Sequence, residues 1–466
     1  MLHGHLPLHG WILGDATYYT FDLPLMALVE LFFGLHNIAV HVAVALTYLI
    51  VTACAVAIAV PGSKGASRAV RAGVVAAVLA APVLIASDIW ITLGFPDHTG
   101  TTVFLLVACL LIDRAPARWF TAPALCLILV AGQIGDVTVR YVAVPAIIVV
   151  CAYRVLARRT IRSGDAAILV AAAASLPLAT ALRALMRHFG AYLMVSPKTF
   201  LAPYSQWGQN AAYTWDSIKM LFGIQAAPDA GPVGLAAIFG FACLAVAVAG
   251  VLRVLWRWRR ASRAEQLLLV AIVANIVVYL VSTLPVPKSP HDIVAVLPAG
   301  AILGARAVAP ARITGRLTAL AATCVAVVAA LLPLSLQAAA RAPQVPPVAA
   351  LTAWLEAHGL RYGLGGYWDS SVVTLQSGGQ IVVHAVEENG RQITPYTWET
   401  NLFWYNPSQH YANFVIFEVS GSSLGTHAMR YFGTPVSVNR VRSWDVAIYD
   451  TNVLRQVGAP VLPPTS

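Results

Sequence analysis

The chain has 466 residues, 59% of them hydrophobic and 11% charged, with a mean hydropathy of +0.73, which excludes an ordinary soluble domain. Its net charge of +10 does not point to nucleic acid, because the basic residues sit in short clusters between apolar stretches. The six cysteines, Cys54, Cys109, Cys126, Cys151, Cys243 and Cys324, fall singly in apolar runs and read as packing residues, neither disulfide-forming nor metal-binding.

In chain order, residues 1–37 carry no Lys or Arg and no unbroken apolar run, so they do not read as a cleavable leader. Apolar runs of span-like character follow at 38–60, 72–94, 101–112, 119–133, 139–156, 166–186, 232–255, 265–285, 292–309 and 317–337. These predict an α-helical polytopic membrane protein of about ten spans. The runs 101–112 and 119–133 are short, and a re-entrant hairpin there would bury "DRAPAR", so two short tilted helices are expected.

Alternate loops hold Lys64, Arg68 and Arg71; Arg114 and Arg118; Arg154, Arg158, Arg159 and Arg162; Arg253, Arg257, Arg259, Arg260 and Arg263; and Arg306, Arg312 and Arg316. Among the intervening loops, residues 1–37, 95–100 and 133–138 have no Lys or Arg, and 286–291 only Lys288. Cytoplasmic loops retain Lys and Arg, so residues 1–37, the long 187–231 loop and the carboxy-terminal region are expected outside. After the Pro-rich "RAPQVPP", the segment "LTAWLEAHGL" reads as a helix, while "QIVVHAV", "NFVIFEV" and "WDVAIYD" read as strands. The expected organisation is an external loop over 1–37, with "LPLMALVELFFG" as an amphipathic surface helix; a transmembrane domain over 38–337; and a small external α/β domain over 338–466.

Soluble-enzyme motifs are absent: there is no GxxxxGK[ST], HExxH or GxSxG, and "GLGGYW" at 363–368 reads as a plain turn. Polar chemistry gathers instead in three outward loops. "GFPDHTGTT" presents Asp97 and His98, "GQIGDVTVRY" presents Asp136 and Arg140, and "VPKSPHD" presents Lys288, His291 and Asp292. Ionisable groups at such depth are costly to desolvate and mark substrate paths. The plain alternative is that Asp136 pairs with Arg140 and Asp292 caps the next helix. Asp88, near the end of the second run, reads equally as a bundle hydrogen-bonding group. Trp207, Tyr213 and Trp215 in the 187–231 loop are either interfacial anchors or surfaces on which a sugar ring stacks.

The segments "HLPLHGWILG", "YYTFDLPL", "ALVELFFG", "DHTGTTVFLLVACLLIDR", "SPHDIVAVLPAGAILGAR" and "GLGGYWDSSVVTLQSGGQIVV" together resemble the GT-C superfamily of membrane glycosyltransferases. The likeness is to the protein O-mannosyltransferases and aminoarabinose transferases, and it extends over nearly the whole chain. It implies transfer of a sugar from a polyprenyl-phosphate donor to a cell-envelope acceptor (protein, lipid or glycan) at the outer face of a bacterial plasma membrane. It also implies an acidic base toward the acceptor, matched by Asp97 with His98, and phosphate contacts at Lys288 and His291, where the family usually has Arg. Family members carry a first span followed by the principal catalytic Asp. This chain begins beyond that point, with Asp15 and Asp22 later in the same loop as candidate replacements. Sugar transfer from a lipid phosphate uses no nucleotide, no cofactor is assigned, and a divalent metal ion stays open. The alternative function is non-catalytic: a transporter, or an envelope-assembly or glycan-binding protein with the same fold.

Overall fold

The computed structural model describes residues 5–14, 16–85, 98–115, 118–158, 164–195, 200–224, 233–287, 289–309, 311, 318, 320, 347–419 and 424–462. After a short strand β1 (Trp11–Leu13), helices α1 (Asp22–Phe33), α2 (Asn37–Ala59), α3 (Ala66–Ile85), α4 (Thr99–Arg114), α5 (Thr121–Gly135), α6 (Thr138–Arg158) and α7 (Gly164–His188) follow. Strand β2 (Leu193–Met194), α8 (Trp207–Leu221), α9 (Val233–Trp256), α10 (Arg263–Val281) and α11 (Val296–Val308) complete the helical part. Each expected run overlaps a helix except 317–337, which lies outside the described residues apart from 318 and 320, as do residues 86–94 of the second run.

Among the described residues, five helices (α2, α6, α7, α9 and α10) are long and apolar enough to cross a membrane, and this is a membrane protein. The 15-residue α5 and 13-residue α11 are apolar but short. At 1.5 Å per residue, α5 reaches about 22 Å of a hydrocarbon core about 30 Å thick. The runs 101–112 and 119–133 form two separate helices, α4 and α5.

Close packing between helices follows from small residues. A Cβ added at Gly250 of α9 would stand 2.3 Å from the Leu303 carbonyl carbon, and one at Gly304 of α11 would stand 2.7 Å from Val246. Only glycine lets these two backbones touch, in the small-residue manner of membrane helices.

The carboxy-terminal part comprises α12 (Pro347–Ala357), β3 (Tyr362–Gly365), α13 (Tyr367–Gln376), β4 (Val382–Asn389), β5 (Gln392–Pro395) and β6 (Thr400–Asn401). It continues with β7 (Phe414–Glu418), α14 (Leu424–Phe432), β8 (Ser437–Val441) and β9 (Trp444–Ile448). The sheet order is β5-β4-β3-β7-β9-β8, with β3 parallel to β4 and β7 and the remaining pairs antiparallel. Apolar residues of α12 and α13 pack on one face and those of α14 on the other, giving a layered α/β fold.

Three features differ from the sequence reading. "GLGGYW" is not a plain turn: it supplies the centre of strand β3 and the start of α13, because Gly363 leaves room for the Phe414 ring. The 187–231 stretch is not simply a loop, since it contains α8, anchored by Asn210 Nδ2 donating to the carbonyls of Leu280 and Ser282 at 2.8 and 2.9 Å. Residues 1–37 are tied down as well as helical. Strand β1 pairs parallel with β2 and antiparallel with β6, so the amino-terminal segment joins the helical part to the α/β part.

Candidate functional site

Four segments meet at the ends of α4, α5 and α10. The first is the approach to α1: the Thr17 hydroxyl donates to the Ile134 carbonyl at 2.7 Å, and the Thr17 and Tyr18 N–H groups donate to the Gly135 carbonyl at 2.8 Å. These bonds satisfy carbonyls that the last turn of α5 leaves without helical partners. They strap residues 17–20 against the turn that carries Asp136. Asp22 then opens α1, 5% exposed, with its carboxylate against the first turn of α4. A Cβ on Gly100 would stand 2.3 Å from both Asp22 oxygens, so glycine is what admits the carboxylate there. The positive end of the α4 dipole favours an anion at that position.

The other three segments carry the polar centre. His98 precedes α4, and its Nδ1 lies 2.5 Å from Oδ2 of Asp136, the residue that ends α5. Asp136 also accepts from the Thr101 hydroxyl and, at 2.7 Å, from the Thr138 N–H. On the opposite side of the ring, His98 Nε2 lies 3.6 Å from Oδ1 of Asp292, and the His291 ring stacks on His98 with centroids 5.9 Å apart. Asp292 is fixed from two directions: the Ser289 hydroxyl donates to its Oδ2 at 2.8 Å, and Asn275 Nδ2 donates to its carbonyl at 2.9 Å. The Tyr279 hydroxyl holds the same turn through the Ser289 carbonyl at 3.1 Å.

Burial alone would raise the Asp136 carboxyl. The charge of a protonated His98 and the hydrogen bonds from His98, Thr101 and Thr138 outweigh it and hold the group down at about 2. Asp292 is also held below the ordinary carboxylate range: burial opposes this, and His98, His291 and Ser289 prevail. With an acceptor beside each ring nitrogen, His98 suits the doubly protonated imidazolium, which has a donor on both sides. Two carboxylates this acidic are weak bases at neutral pH; they orient and charge the imidazole between them.

Of the residues singled out from sequence, His98, Asp136 and His291 come together, and Asp22 lies one helical turn away through Gly100. Asp97, Asp15, Lys288 and Asp88 lie outside the described residues. Arg140 does not pair with Asp136; it sits in the first turn of α6, within electrostatic reach of Arg183 on α7. The carboxylate prefers His98 because the β conformation of Asp136 as helix cap turns it toward α4. Asp292, for which a helix cap was the plain alternative, faces His98.

Trp207, Tyr213 and Trp215 all lie on α8. The Trp207 indole donates to the Ala202 carbonyl at 3.0 Å, Gln209 Nε2 donates to the Tyr213 hydroxyl at 2.6 Å, and Trp215 is half exposed. The buried side of α8, through Asn210, Thr214 and Ser217, packs toward α10 and the short 3-10 turn Pro290–Ile293 that holds His291 and Asp292. Thr101, Thr138 and Asn275 were missed from sequence. A lone Asn in the apolar run "VANIVV" was the available signal, since a buried amide needs a partner. Among the described residues, no group of three or more His, Cys, Asp or Glu is arranged to hold a metal ion.

No protein-family model matches the chain, and no curated protein matches it. Among solved structures it is similar to ArnT from Cupriavidus metallidurans in the apo state, with 14% identity and a TM-score of 0.53 over 95% of this chain and 88% of that one. The structure of ArnT from Cupriavidus metallidurans bound to undecaprenyl phosphate aligns over 94% of this chain and 88% of that one, with 15% identity and a TM-score of 0.46. The chain therefore has the fold of ArnT.

Proposed function

We propose that this chain transfers a sugar from a polyprenyl-phosphate donor to a cell-envelope acceptor at the outer face of a bacterial plasma membrane, with residues 338–466 as an external domain. The observation that carries this reading is the convergence on His98 of segments far apart in sequence, within a chain that has the ArnT fold.

In the proposed reaction an acceptor hydroxyl or amine attacks the anomeric carbon. The bond from that carbon to the phosphate oxygen breaks, its electron pair leaves with the phosphate, and the acceptor's proton passes to a carboxylate. Asp136 is too acidic for that last task and serves to hold His98. The base is Asp97, next to His98 in the chain, with Asp22 and Asp15 as the other candidate carboxylates. Lys288, His291 and Arg140 supply positive charge for the departing phosphate. Trp207, Tyr213 and Trp215 offer ring faces for the sugar or acceptor beside the 3-10 turn.

The test is transfer in proteoliposomes holding the full chain, a radiolabelled polyprenyl-phosphate sugar and a total cell-envelope extract as acceptor. Asp97→Asn is expected to lose about 10²- to 10⁴-fold in rate with folding unchanged. Full activity in that variant removes Asp97 from the base role, and no transfer by the unmodified chain contradicts the reading itself.

A further inference from the structure

A second site lies at the opposite, arginine-rich end of the helices, and it does not depend on the transferase reading. A groove of about 590 Å³ opens between the last turn of α2, the start of α3 and the end of α4. Its walls are mainly apolar, with Val56, Ala57 and Val60 on one side and Ala69 on the other, and Arg68 and Arg114 stand at its mouth. The Arg114 guanidinium donates to the Ala57 carbonyl at 3.3 Å, which pins it over the groove. A guanidinium has five N–H donors, so most of its capacity stays available for an anion.

Beyond the groove the same face of α2 is apolar. Leu49, Ala53, Val56 and Val60 recur at helical spacing, and Leu49 is 62% exposed. Such a stripe matches an acyl chain lying along the helix.

The depth also fits a lipid headgroup. Trp119, five residues beyond Arg114, is 88% exposed, and Trp256 at the end of α9 is 90% exposed, both at this end of the bundle. Exposed indoles mark the level of the membrane–water interface. Two buried arginines lie nearby: Arg71 donates to the carbonyls of Ala59, Pro61 and Ala309, and Arg306 donates to the Ile58 carbonyl and the Ser262 hydroxyl, with Glu265 at 3.9 Å from Arg306 offsetting part of their charge. The nearest acid in sequence, Asp113, does not line the groove.

We propose that this groove is a binding site for an anionic phospholipid, its phosphodiester held by Arg68 and Arg114 and one acyl chain lying on the Leu49–Val60 stripe. Basic pockets between helices on the positively charged side of a membrane protein suit such headgroups. Free phosphate would leave the apolar wall unused.

The experiment is native mass spectrometry of the full chain titrated with phosphatidylglycerol, with phosphatidylcholine as the zwitterionic comparison. The unmodified chain should bind phosphatidylglycerol more tightly than phosphatidylcholine. R68Q/R114Q should weaken phosphatidylglycerol binding about 30-fold, on the scale of two surface arginines facing an anionic lipid. A69W, which fills the groove without altering charge, should weaken it comparably, whereas R259Q, outside the groove, should not. Equal binding of the two lipids, wild-type binding by A69W, or displacement of phosphatidylglycerol by millimolar inorganic phosphate would each overturn the proposal. If R68Q/R114Q fails to fold, A69W decides it.

Discussion

Two histidines, His384 buried and His98 partly so, sit in opposite surroundings. His98 lies between the carboxylates of Asp136 and Asp292, whereas His384 on β4 lies among rings, with Trp404 stacked at 4.2 Å and Tyr362 edge-on at 5.1 Å. Burial pushes His384 down to about 3, helped by His410, so at neutral pH it is an uncharged packing ring. Around His98 the carboxylates are themselves held acidic, and the centre carries charge. The same side chain is a piece of core in one place and an electrostatic centre in the other. What differs is whether an acid is fixed beside it.

Replacing the partners should break this contrast most strongly. Asp136→Asn removes the charge that faces Nδ1 of His98 and should cost about 3–5 kcal/mol in thermal or denaturant unfolding, as loss of one member of a buried ion pair does. His384→Phe keeps an aromatic ring in an aromatic nest and should cost under about 1.5 kcal/mol.

Acid should separate the two centres next. Asp136 has a folded pKa of about 2 against an ordinary 3.8, so its contribution is complete above about 4 and is lost as pH falls toward 2. For His384 the folded value is about 3 against 6.5, so below 6.5 the unfolded chain takes up a proton that the folded domain refuses. Stability of the α/β part should therefore decline from pH 6.5 toward 3, by at most about 1.4 kcal/mol per pH unit from this group. In unfolding curves taken across pH, His384→Phe should flatten the upper window alone, and Asp136→Asn the lower.

A smaller effect sharpens the place of Asp22. Gly100→Ala puts a methyl group into the Asp22 carboxylate and should cost about 1–3 kcal/mol. In an Asp22→Ser background the cost should fall to near that of an ordinary helix-surface change, and equal costs in both backgrounds would dissociate the two residues.

Much of this was legible in the residues. The apolar runs located the helices, and the alternating arginines put the loops that carry His98, Asp136 and His291–Asp292 on one side. The terminal strands showed in their alternation. Pairing within the loops was not legible. Whether Asp136 turns to Arg140, four residues away, or to His98, on a different helix, depends on the backbone at the end of α5. Helix α8 was hidden because its buried side is polar: Asn210, Thr214 and Ser217 give no apolar period. Strand β3 was hidden by its glycines: Gly363 leaves room for Phe414 and Gly365 for Ile416, both on the neighbouring strand.

The central claim is that His98 and its two carboxylates form the working centre. It is tested most directly by measuring sugar transfer from a radiolabelled polyprenyl-phosphate donor in proteoliposomes, with Asp136→Asn and His384→Phe side by side at matched folded content. Loss of transfer in Asp136→Asn with retention in His384→Phe is the predicted result; retention in Asp136→Asn would contradict the account.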